Sequence, residues 1–335
     1  MLFKPEPAVS NAQAPHTGVL LCNLGTPDEP TSSAVRRYLA EFLSDPRVVE
    51  IPPLVWKPIL HGVILRTRPS KSAEKYRKVW TPEGSPLAVW TAKQAVMLRG
   101  YLGERGHRVT VRHAMRYGNP SMASMLDELK AEGCTRVLVV PLYPQYAGST
   151  TGSVIDAVCS WSSRVRHVPE LHFINRFHDD PGYIRALARQ VSNHWMSHGR
   201  PNKLVMSFHG IPERSIKLGD PYQAECLETA RLLAERLALK SDEFVVCFQS
   251  RFGKAKWLEP YTDKTLHRLA QEGVARVDVV CPGFVSDCLE TLEEIAIEGK
   301  ETFLEAGGQE FHYIPCLNDN SAWIVALAEL VQEKL

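Results

Sequence analysis

Val279–Glu298 reads V-V-C-P-G-F-V-S-D-C-L-E-T-L-E-E-I-A-I-E. The apolar run Val277, Val279, Val280 stops at Cys281-Pro282-Gly283, the pattern of a buried strand breaking into a loop. Ser286 or Asp287 then caps a helix expected over 287–304, because a short polar side chain there accepts a bond from an orphan amide. In an α-helix, Asp287, Glu290, Glu294 and Glu298 share one face, and Leu289, Leu292 and Ile295 form an apolar face opposite. No basic residue interleaves the acids to relieve their repulsion, which costs a few tenths of a kcal/mol per pair. Two readings stay open: a solvated acidic face, or a row that handles a cation or protons. The stripe starts at the C-terminal end of a buried strand, where open α/β sheets place their sites.

The same strand-to-loop-to-helix rhythm runs through the chain. Short apolar runs at Gly18–Cys22, Val109–Met115 and Arg136–Leu142 read as strands covered on both faces. Further strands are expected at Leu171–Phe177, Leu204–Phe208, Phe244–Phe248, Val277–Cys281 and Phe311–Ile314, with helices at 181–197, 221–238 and 263–272 between them. This alternation predicts an α/β protein of two similar doubly wound, Rossmann-like domains, each a parallel sheet flanked by helices. Polar, aperiodic Ser160–His167 marks the expected boundary. The division is a loose tail over 1–15, a first domain over 16–165 completed by a C-terminal helix over 318–335, and a second over 166–317. The site is expected in the cleft between the domains.

Composition narrows the function. The 335 residues carry a net charge of +1 with 44% hydrophobic residues, an ordinary globule without the basic surface that nucleic acid requires. Eight scattered cysteines with no C-x-x-C pair predict a reduced protein rather than a disulfide scaffold. No stretch is long and apolar enough to span a bilayer. Leu54–Leu65 is apolar, broken by Pro58 and Gly62 and followed by Arg66 and Arg68; it is either a core segment or a lip that touches a membrane or an apolar ligand.

Three strand ends in the second half carry polar groups: Ser207-Phe-His-Gly-Ile-Pro212, Gln249-Ser-Arg-Phe-Gly253 followed by Trp257, and the acidic stripe. A histidine and carboxylates from separate strand ends can bind a metal or remove a proton, since neutral imidazole does both. The first half offers Tyr76, Tyr117, Tyr143 and Tyr146 with Arg66, Arg68 and Arg116, a set suited to a flat apolar ligand that carries carboxylates. H-E-x-x-H and G-x-S-x-G are absent, which disfavours zinc and serine hydrolases.

In family order, Asn23–Pro27, Gly84-Ser-Pro86, Arg116-Tyr117, Tyr143-Pro-Gln-Tyr146, Ser207-Phe-His-Gly210, Gln249-Ser250, Trp257 and Phe284–Glu294 resemble the ferrochelatases over nearly the whole chain. The resemblance implies a chelatase-like fold and insertion of Fe²⁺ into protoporphyrin IX, a lyase-class reaction that ends haem synthesis. It implies that His209 and Glu290 are catalytic, and that these two with Asp287 and Glu294 meet the metal. It places Leu24, Tyr117, Trp257 and Phe284 in the porphyrin cleft, Ser85 and Tyr76 near the propionates, and Arg66 and Arg68 at the lip. Arg116, Tyr143 and Ser250 are assigned to porphyrin binding on the same grounds. Some members bind an iron–sulfur cluster through C-terminal cysteines and one after the Y-P-Q-Y motif; here Ala147-Gly148 follows the motif, so no cluster is expected and no cofactor beyond iron as substrate. Cys288 stands where some members have histidine. The resemblance further implies a cytoplasmic monomer, at most peripheral at the inner membrane, with protoporphyrin IX and ferrous iron as its partners. A chelatase for another tetrapyrrole or metal (coproporphyrin, cobalt) and a non-catalytic tetrapyrrole carrier are the alternatives.

Overall fold

The structure, a computed structural model, describes Phe3, Glu6, residues 16–251, Gly253 and residues 255–335. The tail expected over 1–15 otherwise lies outside the described residues. The chain forms two compact units. The first contains the described residues up to Leu142 with Gly148–Arg176 and Leu327–Leu335; the second contains Tyr143–Ala147 and Phe177–Ala326.

In the first unit β1 (Thr17–Thr26), β2 (Val109–Gly118), β3 (Arg136–Pro141) and β4 (Glu170–Phe173) form a four-stranded sheet of order β2-β1-β3-β4. All its pairings are parallel. Val19–Cys22 in its centre are wholly buried, as a strand covered on both faces requires. β1 and β2 close tightly at their C-terminal ends: Gly25 has φ +111°, and a Cβ there would lie 1.8 Å from the Tyr117 carbonyl oxygen. Thr31 caps helix Ser32–Phe42 by accepting from the Ala34 amide, and Ser121 caps Met122–Ala131 through the Ser124 amide.

The second unit repeats the plan. Its strands are β5 (Lys203–His209), β6 (Phe244–Gln249), β7 (Arg276–Val280) and β8 (Glu310–Tyr313), again all parallel and in the order β6-β5-β7-β8. Helices Pro181–His198, Tyr222–Arg236 and Thr262–Gln271 match the expected spans. The ring cluster Phe177, Tyr183 and Trp323, with centroids 5.4 to 5.9 Å apart, packs in its interior.

Two expectations are corrected here. The strand expected to open the second domain is β4, which pairs with β3 and completes the first sheet. A boundary at 165/166 would strip the first sheet of its edge strand; the change of unit falls after Arg176. Ser160–His167 is the end of helix Ser153–Ser162 and the turn after it, with Trp161 and Val165 buried. Secondly, the helix expected over 287–304 is a π-helix, Glu290–Gly299, followed by a short α-helix, Lys300–Glu305.

The duplication is also written in the residues, at an offset of 140 positions. Glu132-Gly-Cys-Thr-Arg-Val-Leu-Val-Val140 matches Glu272-Gly-Val-Ala-Arg-Val-Asp-Val-Val280. Glu170-Leu-His-Phe-Ile matches Glu310-Phe-His-Tyr-Ile. Both copies of the arginine do one task. Arg136 donates to the carbonyls of Lys334 and Leu335, and Arg276 to those of His198 and Gly199, each closing a helix C-terminus whose last carbonyls lack intrahelical partners.

Apolar Leu54–Leu65 is neither all core nor all lip. It spans helix Pro53–Ile59 and the π-turn Leu60–Ile64. Trp56, Leu60 and Leu65 are buried around Leu43, with the Trp56 indole donating to the Leu43 carbonyl at 2.6 Å. Leu54 is 92% exposed and Val55, Ile59 and Val63 between 40% and 56%, an exposed apolar patch. No helix among the described residues is long and apolar enough to cross a membrane.

Candidate active site

In the second unit the strand order reverses direction between β5 and β7, so the crevice at their C-terminal ends is where an open α/β sheet binds its ligand. His209 is the last residue of β5. Its Nδ1 lies 2.6 Å from the Gly210 carbonyl oxygen. A carbonyl only accepts, so Nδ1 carries the proton and the Nε2 lone pair of the neutral ring is left to act as base or ligand. Trp257 and Phe284 flank the imidazole, ring centroids 6.5 and 6.4 Å away. Gly210 lets β5 turn against β6: its amide donates to the Gln249 carbonyl at 2.7 Å, and a Cβ would stand 2.8 Å from that same oxygen.

Opposite charge comes from the π-helix. Bonding i to i+5 widens the helix to between four and five residues per turn, which brings Glu290, Glu294 and Glu298, four apart, into one file. Glu294 accepts from the Ser250 amide at 2.7 Å and from the Ser250 hydroxyl. Ser250 holds φ +64°, a left-handed conformation unusual outside glycine, and that turn is what aims both donors at one carboxylate. Burial raises the Glu294 carboxyl above the usual carboxylate range, and the charge of Glu290 adds to this; the Ser250 hydrogen bonds and the charge of His209 pull the other way without overcoming it. A cavity of about 230 Å³ opens beside Glu294 and Glu298, lined also by Gln249, Ser250 and Thr262. That volume suits a hydrated cation or a few waters and falls short of a pocket for a large organic ligand, which begins at about 300 Å³.

Asp287 departs from the row. It is buried before the π-helix begins and accepts from Asn318 Nδ2 at 2.6 Å, the Tyr313 hydroxyl at 2.5 Å, Thr291 Oγ1 at 3.1 Å and the Cys316 amide at 3.3 Å. Three of these contacts fall on Oδ1 and one on Oδ2, so Asp287 anchors its loop to the end of β8 and the segment after it. Asp287→Ala would strand several buried donors at about 1–3 kcal/mol each. The expected result is a clearly lower urea-unfolding midpoint with Fe²⁺ affinity unchanged below it; a wild-type midpoint would show that the anchor carries no stability.

Tyr117 and Arg116 are likewise corrected. Tyr117 is wholly buried, its hydroxyl donating to Asp45 Oδ2 at 2.8 Å and lying 3.0 Å from Ser153 Oγ. Arg116 donates to Asp45 Oδ2 at 2.7 Å and to Ser153, its guanidinium 4.5 Å from the centre of the Tyr117 ring. Burial opposes ionisation of Asp45, but bonds from Ser153, the Arg47 amide and Tyr117, with the charge of Arg116, outweigh it and keep the carboxyl below its ordinary range. The pair serves this network, and the buried Tyr117 ring offers no surface to a ligand. Tyr76 is also interior, edge-on to Trp80 with ring centroids 6.0 Å apart. Ser85 is buried and accepts from Thr26 Oγ1 at 2.8 Å. Leu24 is half-buried at the end of β1, and Arg66 and Arg68 stand exposed on helix Leu65–Val79. Tyr143 is half-buried in the loop Tyr143–Ala147, whose Gln145 Nε2 donates to Thr229 Oγ1 at 2.9 Å.

Two supporting residues escaped notice in the sequence. Gln249 accepts from Ser207 Oγ at 2.8 Å and donates to the Glu290 carbonyl at 2.8 Å, tying two strand ends to the start of the π-helix. Asn318 holds Asp287 from 31 positions away. Gln249 stands inside a strand-end motif already singled out, and a polar residue closing an apolar strand is the signal that could have marked its role. Burial pushes the Cys247 thiol up to about 12 and raises Cys281, Cys288 and Cys316 as well, which favours their neutral form.

The paired α/β units are those of the chelatase class. SirB from Bacillus subtilis, solved with Fe³⁺, matches over 95% of both chains with a TM-score of 0.56 at 13% identity. The cobalt complex of the sirohydrochlorin chelatase SirB from B. subtilis subspecies spizizenii matches over 95% of this chain and 94% of that one, TM-score 0.54 at 12% identity. These likenesses concern the fold. Within that class the chain belongs to the ferrochelatase family, whose model it matches over residues 16–335. It is 66% identical to the ferrochelatase of Polaromonas sp. across its full length and 92% of that protein.

Proposed function

We propose that this chain inserts Fe²⁺ into protoporphyrin IX and releases the two pyrrole protons. The observation that carries the chemistry is His209 with Nδ1 committed to the Gly210 carbonyl and Nε2 free, in the same crevice as the carboxylate file of the π-helix. His209 Nε2 accepts pyrrole protons, and Glu290 passes iron toward the ring nitrogens. Glu294, protonated more readily than an ordinary carboxyl, relays protons along the file toward the cavity at Glu298. Trp257 and Phe284 give the macrocycle apolar faces beside the imidazole. No electron moves, because iron enters and leaves as Fe²⁺, so the reaction asks for no redox cofactor. The test is anaerobic Fe²⁺ insertion into protoporphyrin IX followed by absorbance. Tight porphyrin binding without insertion of any divalent metal would make the protein a carrier.

Leu24, Ser85, Arg66 and Arg68 of the first unit are proposed to contact the porphyrin, the arginines through its propionates. Exposed charge pairs are worth at most about 1 kcal/mol, so Arg66→Ala should raise KM for protoporphyrin about two- to fivefold with kcat unchanged. An unaltered KM removes Arg66 from the site. Leu54, Val55, Ile59 and Val63 support peripheral contact with a membrane surface, the source of an apolar substrate. The acting form is proposed to be a monomer in the cytoplasm.

A further inference from the structure

At the other end of the second sheet, where β7 and β8 begin, three imidazoles converge. Helix Pro181–His198 places His194 and His198 one turn apart, rings stacked at 4.3 Å with planes 14° from parallel. His312 of β8 stands edge-on to both, centroids 5.2 and 4.9 Å away. One nitrogen from each ring lies within 4.8 Å of the other two.

Each ring is oriented from behind. His198 Nδ1 lies 3.0 Å from the His194 carbonyl, which only accepts, so Nε2 is its free nitrogen. His312 Nε2 meets the Glu310 carboxylate at 2.6 Å, leaving Nδ1. Buried Asp278 stands behind His194, Oδ2 at 3.5 Å from Nε2, and that nitrogen makes no hydrogen bond. Asp278 is itself held by Trp195 Nε1 and Arg276. Carboxylates and carbonyls behind imidazoles are how metal-binding histidines are fixed in tautomer and direction.

The duplicated half serves as an internal control. It keeps the fold-bearing parts of this corner: Arg136 on the helix carbonyls and the His172–Glu170 pair. Leu138 stands where the second half has Asp278, and Lys334 where it has His194. The first sheet therefore builds the same corner without the imidazole cluster, so folding does not require the three histidines.

We infer that His194, His198 and His312 form a second metal site, separate from the insertion site, for an imidazole-preferring divalent ion of the Zn²⁺, Co²⁺ or Ni²⁺ kind with water in the fourth position. Three nitrogens and no thiolate suit these ions and disfavour Mg²⁺ and Ca²⁺. Tetrahedral zinc, with bonds of about 2.0–2.1 Å, needs the three nitrogens nearer one another than the 4.8 Å within which they stand. Around the imidazoles the carboxylates of Asp278 and Glu310 outnumber the one guanidinium of Arg276, which favours a cation.

The test is Zn²⁺ binding to the full-length protein by equilibrium dialysis and calorimetry, with Co²⁺ absorption as a second readout. Wild type should hold one Zn²⁺ more per chain than His198→Ala, whose side chain is exposed and unneeded for folding. That site should weaken about tenfold or more in His198→Ala and in His312→Ala, while Fe²⁺ insertion by His198→Ala continues at the wild-type rate. The visible Co²⁺ spectrum of the site should persist in His209→Ala and vanish in His198→Ala. Equal zinc stoichiometry and affinity in wild type and His198→Ala would overturn the proposal, as would a Co²⁺ spectrum abolished by His209→Ala alone.

Discussion

His209→Ala should lower kcat for Fe²⁺ insertion by between about 10² and 10⁴-fold, the usual worth of a positioned base, with protoporphyrin affinity changed little. The ring sits at the end of β5 with Nδ1 donating to the carbonyl of its neighbour Gly210, so its loss costs that one hydrogen bond, about 1–3 kcal/mol, and no contact between distant elements. The fold should therefore survive, which circular dichroism and porphyrin fluorescence quenching would verify. Single-turnover measurements separate the insertion step from product release. A variant that still turns over at a tenth of the wild-type rate would refute the role assigned to the imidazole.

Glu290→Ala should be comparably inactive, for a different reason. Glu290 opens the π-helix, and its backbone carbonyl is held by Gln249 Nε2, so the side chain can be removed while the helix start stays tethered. Protoporphyrin should still bind, and anaerobic Fe²⁺ insertion should fall near background. Any residual activity would carry a signature in pH. Burial is the main reason the Glu294 carboxyl sits high, and the negative charge of Glu290 adds to it. Removing that charge lets Glu294 ionise at lower pH, so a profile limb governed by Glu294 should move toward acid in the variant. Wild-type insertion in Glu290→Ala would dismiss the iron-delivery role, and a limb that stays in place would dismiss Glu294 from the proton path.

Much of the architecture could be read from residues alone because buried parallel strands leave short apolar runs such as Val19–Cys22 and Val277–Val280, and these survive without knowledge of neighbours. The edge strand Glu170–Phe173 was assigned to the wrong half because pairing is a long-range property: its partner β3 lies more than 30 positions back, whereas polar Ser160–His167 lies next to it. The site was partly legible. His209 is announced by a strand end and Gly210. The acidic stripe is announced by spacing, yet acids three and four apart cannot say whether the helix is α or π, and this decides which of them share a file. The anchoring role of Asp287 was invisible in the sequence because its partners, Tyr313, Cys316 and Asn318, lie 26 to 31 positions on, at and beyond the end of β8. Tyr117 and Arg116 were misread for the same reason, since Asp45 and Ser153 claim them from far along the chain. The imidazole cluster needs a helix end and β8 in one corner, and nothing in local sequence brings His198 to His312.

The wide helix has a genetic corollary. An α-helix becomes a π-helix when its ladder absorbs surplus backbone, so this stretch is sensitive to residue count in a way an ordinary helix is not. An in-frame loss of one codon, Leu292 for example, would let the turn tighten while hydropathy and charge barely change. Glu290, Glu294 and Glu298 would then stand at i, i+3 and i+7, which share one face of an α-helix, so the carboxylate row itself should survive the loss of the wide turn. Most point substitutions on this helix trade one side chain for another. A triplet deletion removes the wide turn and leaves the acids in place, so it separates what the chemistry owes to the π-geometry from what it owes to the carboxylates alone.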